Sequence, residues 1–243
     1  MFIERIRLPD HIPGAWPFTM AAVRQLAGEG LTFTKPITFL VGENGSGKST
    51  LVEALADAVK INSEGGKAGT RYASTGEPTA LGAALIADLS AAGHRLVGGP
   101  RRARTGFFMR AETLFNLARN VSGLPGFWDA DLAGQSHGEG FFTVFEAMFR
   151  QPGLYLLDEP EAALSFVSCL RLVDFLHQLG GSGSQIICAT HSPLIASTPG
   201  ADIIELGDHG LRHSAWQDLD IVDHWRRYLN NPQSYLRHFI TAQ

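Results

Sequence analysis

The sequence predicts an α/β fold built on a central, mostly parallel sheet. Three observations carry that expectation. Short, wholly apolar runs recur at Ile37 to Val41, Leu154 to Leu157 and Ile186 to Ala189, as expected of strands buried on both faces. Helical patterns follow the first two runs, which is how crossovers join parallel strands. The chain has 243 residues, enough for one large globule that buries roughly 70–75% of its unfolded surface without staples.

The elements read in order as follows. Phe2, Ile6 and Leu8 share one face of a period-two pattern, so residues 2–8 form a strand. Pro9, Pro13 and Pro17 hold an irregular segment after it. Leu31 and Phe33 alternate with Thr32 and Thr34, giving a second strand and an N-terminal antiparallel β portion. Over 49–61, Leu51, Leu55, Ala58 and Val59 share a helical face. Gly65, Gly66, Gly69 and Gly76 mark 63–78 as flexible. Residues 79–92 read as a helix stopped by Gly93, 111–121 as a second, and 139–150 as a third. No strong strand stands between 79 and 150, so an inserted helical subdomain is expected there, within a single domain covering 1–243. A helix near 161–179 follows the run at 154–157. A hairpin is expected over 203–206 and 211–213, around Gly207 to Gly210. The last part, 218–241, reads as one or two helices broken at Asn230-Asn231-Pro232.

Composition excludes several classes. Hydrophobic residues make up 44% and charged ones 18%, which rules out a wholly disordered chain. No apolar run reaches the length of a membrane span. The start, Met1-Phe-Ile-Glu-Arg, lacks the layout of a secretion signal, so a cytoplasmic location is expected. A net charge of −4 argues against a surface that binds polyanions all round. Cys169 and Cys188 have no metal-ligand spacing and read as buried thiols.

The chemistry concentrates in three places. Gly42-Glu43-Asn44-Gly45-Ser46-Gly47-Lys48-Ser49 fits the pattern G-x-x-x-x-G-K-[ST], between an apolar strand and an amphipathic helix. Glycines let the backbone curl so that successive N–H groups face phosphate oxygens, and the helix start at Ser49 and Thr50 adds its positive end. Lys48 then reaches the β- and γ-phosphates of a nucleotide, and the Ser49 hydroxyl ligates Mg2+. Asp158 and Glu159 end the second buried strand and so stand at the carboxyl edge of the sheet, where open α/β folds bind ligands. Asp158 is placed to hold the metal indirectly, through a water or through one of its direct ligands, and Glu159 to orient or deprotonate an attacking water. His191 follows the third buried strand and reaches the same edge, where it can donate to a γ-phosphate.

This constellation resembles the ABC-type ATPases, in the order of phosphate cradle, inserted segment, signature, acidic pair and lone histidine. Gln135-Ser136-His137-Gly138-Glu139 stands where that family has Leu-Ser-Gly-Gly-Gln; Ser136 and Gly138 match, while His137 and Glu139 depart from it. Ser136 with Glu139 also fits an ordinary capping box. In the family, the signature binds ATP held by the opposite subunit, so the resemblance implies a homodimer that closes on ATP and opens after hydrolysis. Asp158 to Ser165 resembles the acidic pair plus the D-loop, with Ser165 in place of its closing aspartate. Gly106 to Glu112 resembles the Q-loop region but holds no glutamine; Arg110 or Glu112 replaces it. Trp16, Phe18 and Arg24 are the candidates for stacking on adenine. The likeness is greatest to compact stand-alone bacterial ATPases related to the SMC and RecF-like branch and to abortive-infection systems. The separation of cradle and signature leaves no room for long coiled-coil arms.

The alternatives are a transporter's nucleotide-binding subunit, a DNA-maintenance or defence ATPase, a P-loop kinase, a non-hydrolysing ATP sensor, or any of these acting through an unidentified protein partner. Arg95, Arg101, Arg102, Arg104 and Arg110 read either as a solvated loop or as a contact for nucleic acid. Phe141, Phe142, Phe145 and Phe149 read as core packing, and Trp225, Tyr228 and Leu229 as a packing face or a dimer or partner surface.

Overall fold

The computed structural model describes residues 1–62, 66–67, 77–100, 105–110, 142–143, 145–146, 148–149, 151–162 and 164–240. Two sheets organise them. The larger runs β10 (Gly210–His213), β9 (Asp202–Gly207), β3 (Ile37–Val41), β8 (Gln185–Thr190), β7 (Leu154–Asp158), β6 (Gly106–Arg110) and β4 (Gly66–Lys67). Strands β9, β3, β8, β7 and β6 are mutually parallel, and β10 and β4 pair antiparallel at the two edges. The smaller, antiparallel sheet has β1 (Ile3–Arg7) between β2 (Leu31–Thr32) and β5 (Ile86–Leu89). The expected α/β architecture with an N-terminal antiparallel portion is therefore present.

Side chains along the central strands alternate between two cores, as the period of two requires. Leu40, Phe108, Leu154, Leu156, Ile187 and Ala189 face α2 (Lys48–Ala58) and the smaller sheet. Phe39, Val41, Phe107, Tyr155, Leu157, Ile186 and Cys188 face α5 (Phe166–Gly181). Both faces are covered, which is why the runs are apolar throughout. Phe145 and Phe149 stack at 4.0 Å in the second core, so the expected packing of the phenylalanine stripe holds for its described members.

Gln185 joins the two sheets. Its buried side-chain oxygen accepts the Phe2 and Ile3 N–H groups at 2.7 and 2.8 Å, and its amide donates to the Ile3 carbonyl at 2.9 Å. Each contact satisfies a backbone group that burial would otherwise orphan.

Residues 79–92 do not form the single helix expected from sequence. They divide into α3 (Ala80–Ala84), β5, and the start of α4 (Ala91–Gly98). The Thr79 and Ser90 side chains cap the two helices by accepting the Gly82 and Gly93 N–H groups. The extended segment between them pairs with β1 from Ile3 to Arg7, which an uninterrupted helix would leave bare. Gly93 lies inside α4 and does not end it; a Cβ there would meet the Phe2 carbonyl oxygen at 2.1 Å. β6 is likewise a strand within the span expected to be helical. Residues 86–89 and 106–110 thus belong to sheets, while the expected helix over 111–121 lies outside the described residues. Gly66–Lys67, in the stretch read as flexible, pairs with Phe107 and Phe108.

Helix α1 (Ala21–Gly28), which the sequence reading did not foresee, buries Ala22, Val23 and Leu26. The short α6 (Pro193–Ala196) follows β8. At the end of the chain, α7 (Asp220–Asn230) and α8 (Pro232–Leu236) break where expected. Trp225, Tyr228 and Leu229 are exposed on α7.

Glu205 on β9 ties the hairpin to α7. Its carboxylate pairs with Arg212, accepts the Ser214 hydroxyl at 3.2 Å and accepts the Asp220 N–H at 2.8 Å. Burial pushes this carboxyl up, but the Arg212, Asp220 and Ser214 contacts outweigh it and hold it below its ordinary 4.5. The unfolded chain therefore takes up the proton first, and the stabilisation is complete above about pH 4.5 and lost as the pH falls further. Glu205→Gln should lower stability at pH 7 by about 1–3 kcal/mol, through loss of hydrogen bonds to a charged group. Urea unfolding over pH 3 to 7 should show that difference shrinking towards the acid end.

Candidate functional site

The site grows from the carboxyl ends of three adjacent strands. β3 leads into the turn Gly42–Gly47, β7 ends on Asp158, and β8 ends on Thr190. The turn needs its glycines. Gly45 and Gly47 sit at φ +84° and +95°, in the left-handed region. A Cβ on Gly42 would lie 2.4 Å from the Leu206 carbonyl oxygen and 2.8 Å from the Ser46 hydroxyl. Gly47 caps α2, whose first residue is Lys48.

Lys48 is buried, and its Nζ donates to the Gly42 and Glu43 carbonyls at 2.8 Å each. Burial lowers its pKa, although Glu159, Asp158, Glu161 and Glu43 pull the other way. The Ser49 hydroxyl donates to Asp158 Oδ1 at 2.8 Å. Burial raises the Asp158 carboxyl, against the opposing pull of Ser49 and Arg110. The Ser46 hydroxyl, within the turn, is buried with no partner among the described residues.

Glu159 follows with φ +48°, a strained conformation for a residue with a Cβ, and its N–H bonds the Ala189 carbonyl at 2.9 Å. Its carboxylate lies 3.3 Å from His191 Nδ1. Glu161, which sequence reasoning did not single out, is a third carboxylate at this edge. It accepts the Thr190 hydroxyl and, at 3.3 Å, the His191 N–H. Its other oxygen is buried without a partner among the described residues, and burial raises its pKa. The spacing Asp158-Glu159-Pro160-Glu161 was the available signal.

A second cluster lies beside Asp158. Arg110 is its neighbour across the β6–β7 ladder, with Nε 3.5 Å from Asp158 Oδ2. Arg110 also pairs with Glu53, four residues beyond Ser49 on the same face of α2. That helical spacing was the legible trace of Glu53. Burial raises the Glu53 carboxyl, opposed by Arg110.

Two clefts flank the turn. One of about 470 Å³ is lined by Trp16, Met20, Asn44, Gly45, Gly47, Lys48, Ser49, Thr50 and Glu159. The other, about 590 Å³, lies between Gly42–Ser46, the β9–β10 turn and α7. Of the candidates for an adenine platform, Trp16 is 72% exposed and lines the first cleft. Phe18 is 5% exposed and belongs to the core, so it is removed from that list; Arg24 is exposed on α1 and lines neither cleft. The structure thus brings together Gly42 to Thr50, Asp158, Glu159 and His191. Ser136, Gly138 and the arginines at 101, 102 and 104 lie outside the described residues.

Ser49 and Asp158 fit a hard cation: a hydroxyl and a carboxylate already in contact, with Glu53 close by. Among the described residues no group of three or more His, Cys, Asp or Glu side chains could hold a metal by itself.

The chain is similar in sequence and in fold to known proteins. Residues 19–80 match an AAA domain family, and residues 140–197 match an AAA domain described in connection with the AbiEii toxin and type IV TA systems. A ribose import ATP-binding protein of Rhodococcus jostii is 31% identical over 63% of this chain and 33% of its own length. A hemin import ATP-binding protein of Rhodopseudomonas palustris is 29% identical over 65% of this chain and 66% of its own. The chain therefore spans only a third to about two thirds of these relatives. Among solved structures, cbiO1 of Clostridium perfringens, part of an ABC transporter complex, superposes with a TM-score of 0.53 at 15% identity, over 98% of this chain and 100% of that one. The fold is that of a P-loop ATPase of the ABC type, with AAA-like sequence character. No helix among the described residues is long and apolar enough to cross a membrane.

Gly47 offers a direct check of the cradle. Alanine there must adopt a left-handed conformation, at a cost of about 1–2 kcal/mol, and its methyl would meet Met20 Cε at 1.8 Å. Gly47→Ala should lower the urea midpoint accordingly.

Proposed function

We propose that this chain hydrolyses ATP to ADP and phosphate with Mg2+, as a homodimer that closes on the nucleotide. The observation that carries this reading is the convergence of Lys48, Ser49, Asp158, Glu159 and His191 on one sheet edge, from segments far apart in sequence. In this account the amides of Gly42–Ser49 and the start of α2 receive the phosphates, and Thr50 completes the cradle. Lys48 leaves the Gly42 and Glu43 carbonyls for the β- and γ-phosphate oxygens. Ser49 and Asp158 would hold Mg2+, which would offset the charge gathered on the phosphates. Mg2+ is ordinarily bound by one or two carboxylates plus phosphates, so these two residues would share it with the nucleotide.

Glu159 orients the attacking water and takes its proton. Its strained backbone is fixed by the Ala189 carbonyl, so the carboxylate points from a rigid base. His191, bracketed by Glu159 and Glu161, contacts the γ-phosphate and registers its loss. Trp16 stacks on the base from the rim of the cleft. Ser136 and Gly138 of the second copy bind the same ATP, so bridging phosphate charge joins the halves only before cleavage. The cytoplasm is the compartment this cycle fits.

The relatives' names favour one second reading, a nucleotide-binding subunit of an importer. A membrane protein that co-purifies in equal amount would establish it, whereas the family match that names an AbiEii toxin supports the alternative of a defence ATPase.

Lys48→Ala should abolish ATP binding. Glu159→Gln should keep binding, lose roughly 10²–10⁴-fold in turnover, and run as a dimer on gel filtration with ATP and Mg2+. A Glu159→Gln protein that stays monomeric under those conditions contradicts the sandwich.

A further inference from the structure

The position of Arg110 is unlike that of a side chain recruited to bind a metal. A guanidinium carries only donors and a fixed positive charge, so it cannot ligate a cation. Yet it lies on the carboxylate assigned to that cation: Nε is 3.5 Å from Asp158 Oδ2, while Ser49 engages Oδ1 at 2.8 Å. Both Asp158 oxygens are therefore in use. The arrangement is built into the backbone, because Arg110 and Asp158 stand opposite each other in the parallel β6–β7 register. The Phe108 ring, 5.9 Å from the guanidinium carbon, and Glu53 on α2 hold the other side of the fork.

We propose that Arg110 competes with the divalent cation for Asp158, so that metal enters only together with nucleotide and draws the guanidinium off Asp158 while its ion pair with Glu53 stays in place. The inference rests on the ATPase reading above and adds the order of events. Two positive groups within a few ångströms of one carboxylate repel strongly at the low effective dielectric of a half-buried site. Alone, Mg2+ gains too few ligands from Ser49 and Asp158 to expel Arg110. Triphosphate oxygens supply the remaining ligands and make the exchange favourable. Glu53 already pairs with the guanidinium, so its release from Asp158 does not strand a cation.

The test measures binding rather than turnover, on the full chain. Fluorescent mant-ATP is titrated at a series of Mg2+ concentrations, and Mn2+ without nucleotide is followed by electron paramagnetic resonance. The parent should bind mant-ATP with a high half-saturating Mg2+ concentration and should show no Mn2+ site without nucleotide. Arg110→Gln should lower the half-saturating Mg2+ about tenfold and expose a Mn2+ site in the nucleotide-free chain. The double variant Arg110→Gln/Glu53→Gln removes one charge of each sign, leaves no unpaired carboxylate on α2, and should show the same gain. A Mg2+ requirement unchanged within twofold in these variants overturns the proposal. So does a parent that binds Mn2+ without nucleotide as tightly as Arg110→Gln does. Failure of the parent to bind mant-ATP at any Mg2+ concentration would instead overturn the ATPase reading itself.

Discussion

The hydrogen bond from Ser49 to Asp158 joins two segments 109 residues apart in the chain. It can form only if α2 starts where Gly47 turns the backbone and if β7 ends level with β3 across β8. The parallel register of Val41 with Thr190, and of Asp158 with Ala189, sets those levels. The two apolar cores on either face of the sheet hold the register, because a slip of one residue would exchange Phe39 for Leu40 and every inward side chain with it. The fold therefore presents the site through burial at a distance, and the polar residues contribute little to its placement.

What the edge then holds is a concentration of charge. Asp158, Glu159, Glu161 and Glu53 face Lys48, Arg110 and His191. Burial pushes the Asp158, Glu161 and Glu53 carboxyls up and the Lys48 ammonium down, and opposite charges nearby pull each of them back in part. Such a balance is sensitive to an arriving polyanion. A triphosphate would bring negative charge that Lys48 can meet only by giving up the Gly42 and Glu43 carbonyls. The buried Ser46 hydroxyl and the outer oxygen of Glu161, both without partners among the described residues, mark where the protein has accepted a polar cost.

The legibility of the sequence followed how local each feature is. The cradle was readable because glycine, lysine and serine must sit at fixed offsets around one helix start. Asp158, Glu159 and His191 were readable because each follows an apolar run whose end fixes its position. β5 was not readable: Ile86 to Leu89 is extended only because β1 offers an edge, and its own pattern suits a helix equally well. Gly93 was misread for the same reason, since its closeness to Phe2 is a tertiary fact. Phe18 resembled a platform until the core claimed it, leaving Trp16 at the cleft. Glu161 and Glu53 act through partners on other strands and helices, which spacing alone names only faintly.

The most direct examination of the account is a crystal structure with a nonhydrolysable ATP analogue and Mg2+. The account predicts phosphate oxygens on the Gly42–Ser49 amides and on Lys48, with the ion between Ser49, Asp158 and the phosphates. Nucleotide bound elsewhere, or an ion placed away from Asp158 while the Ser49 hydroxyl stays on that carboxylate, would contradict it.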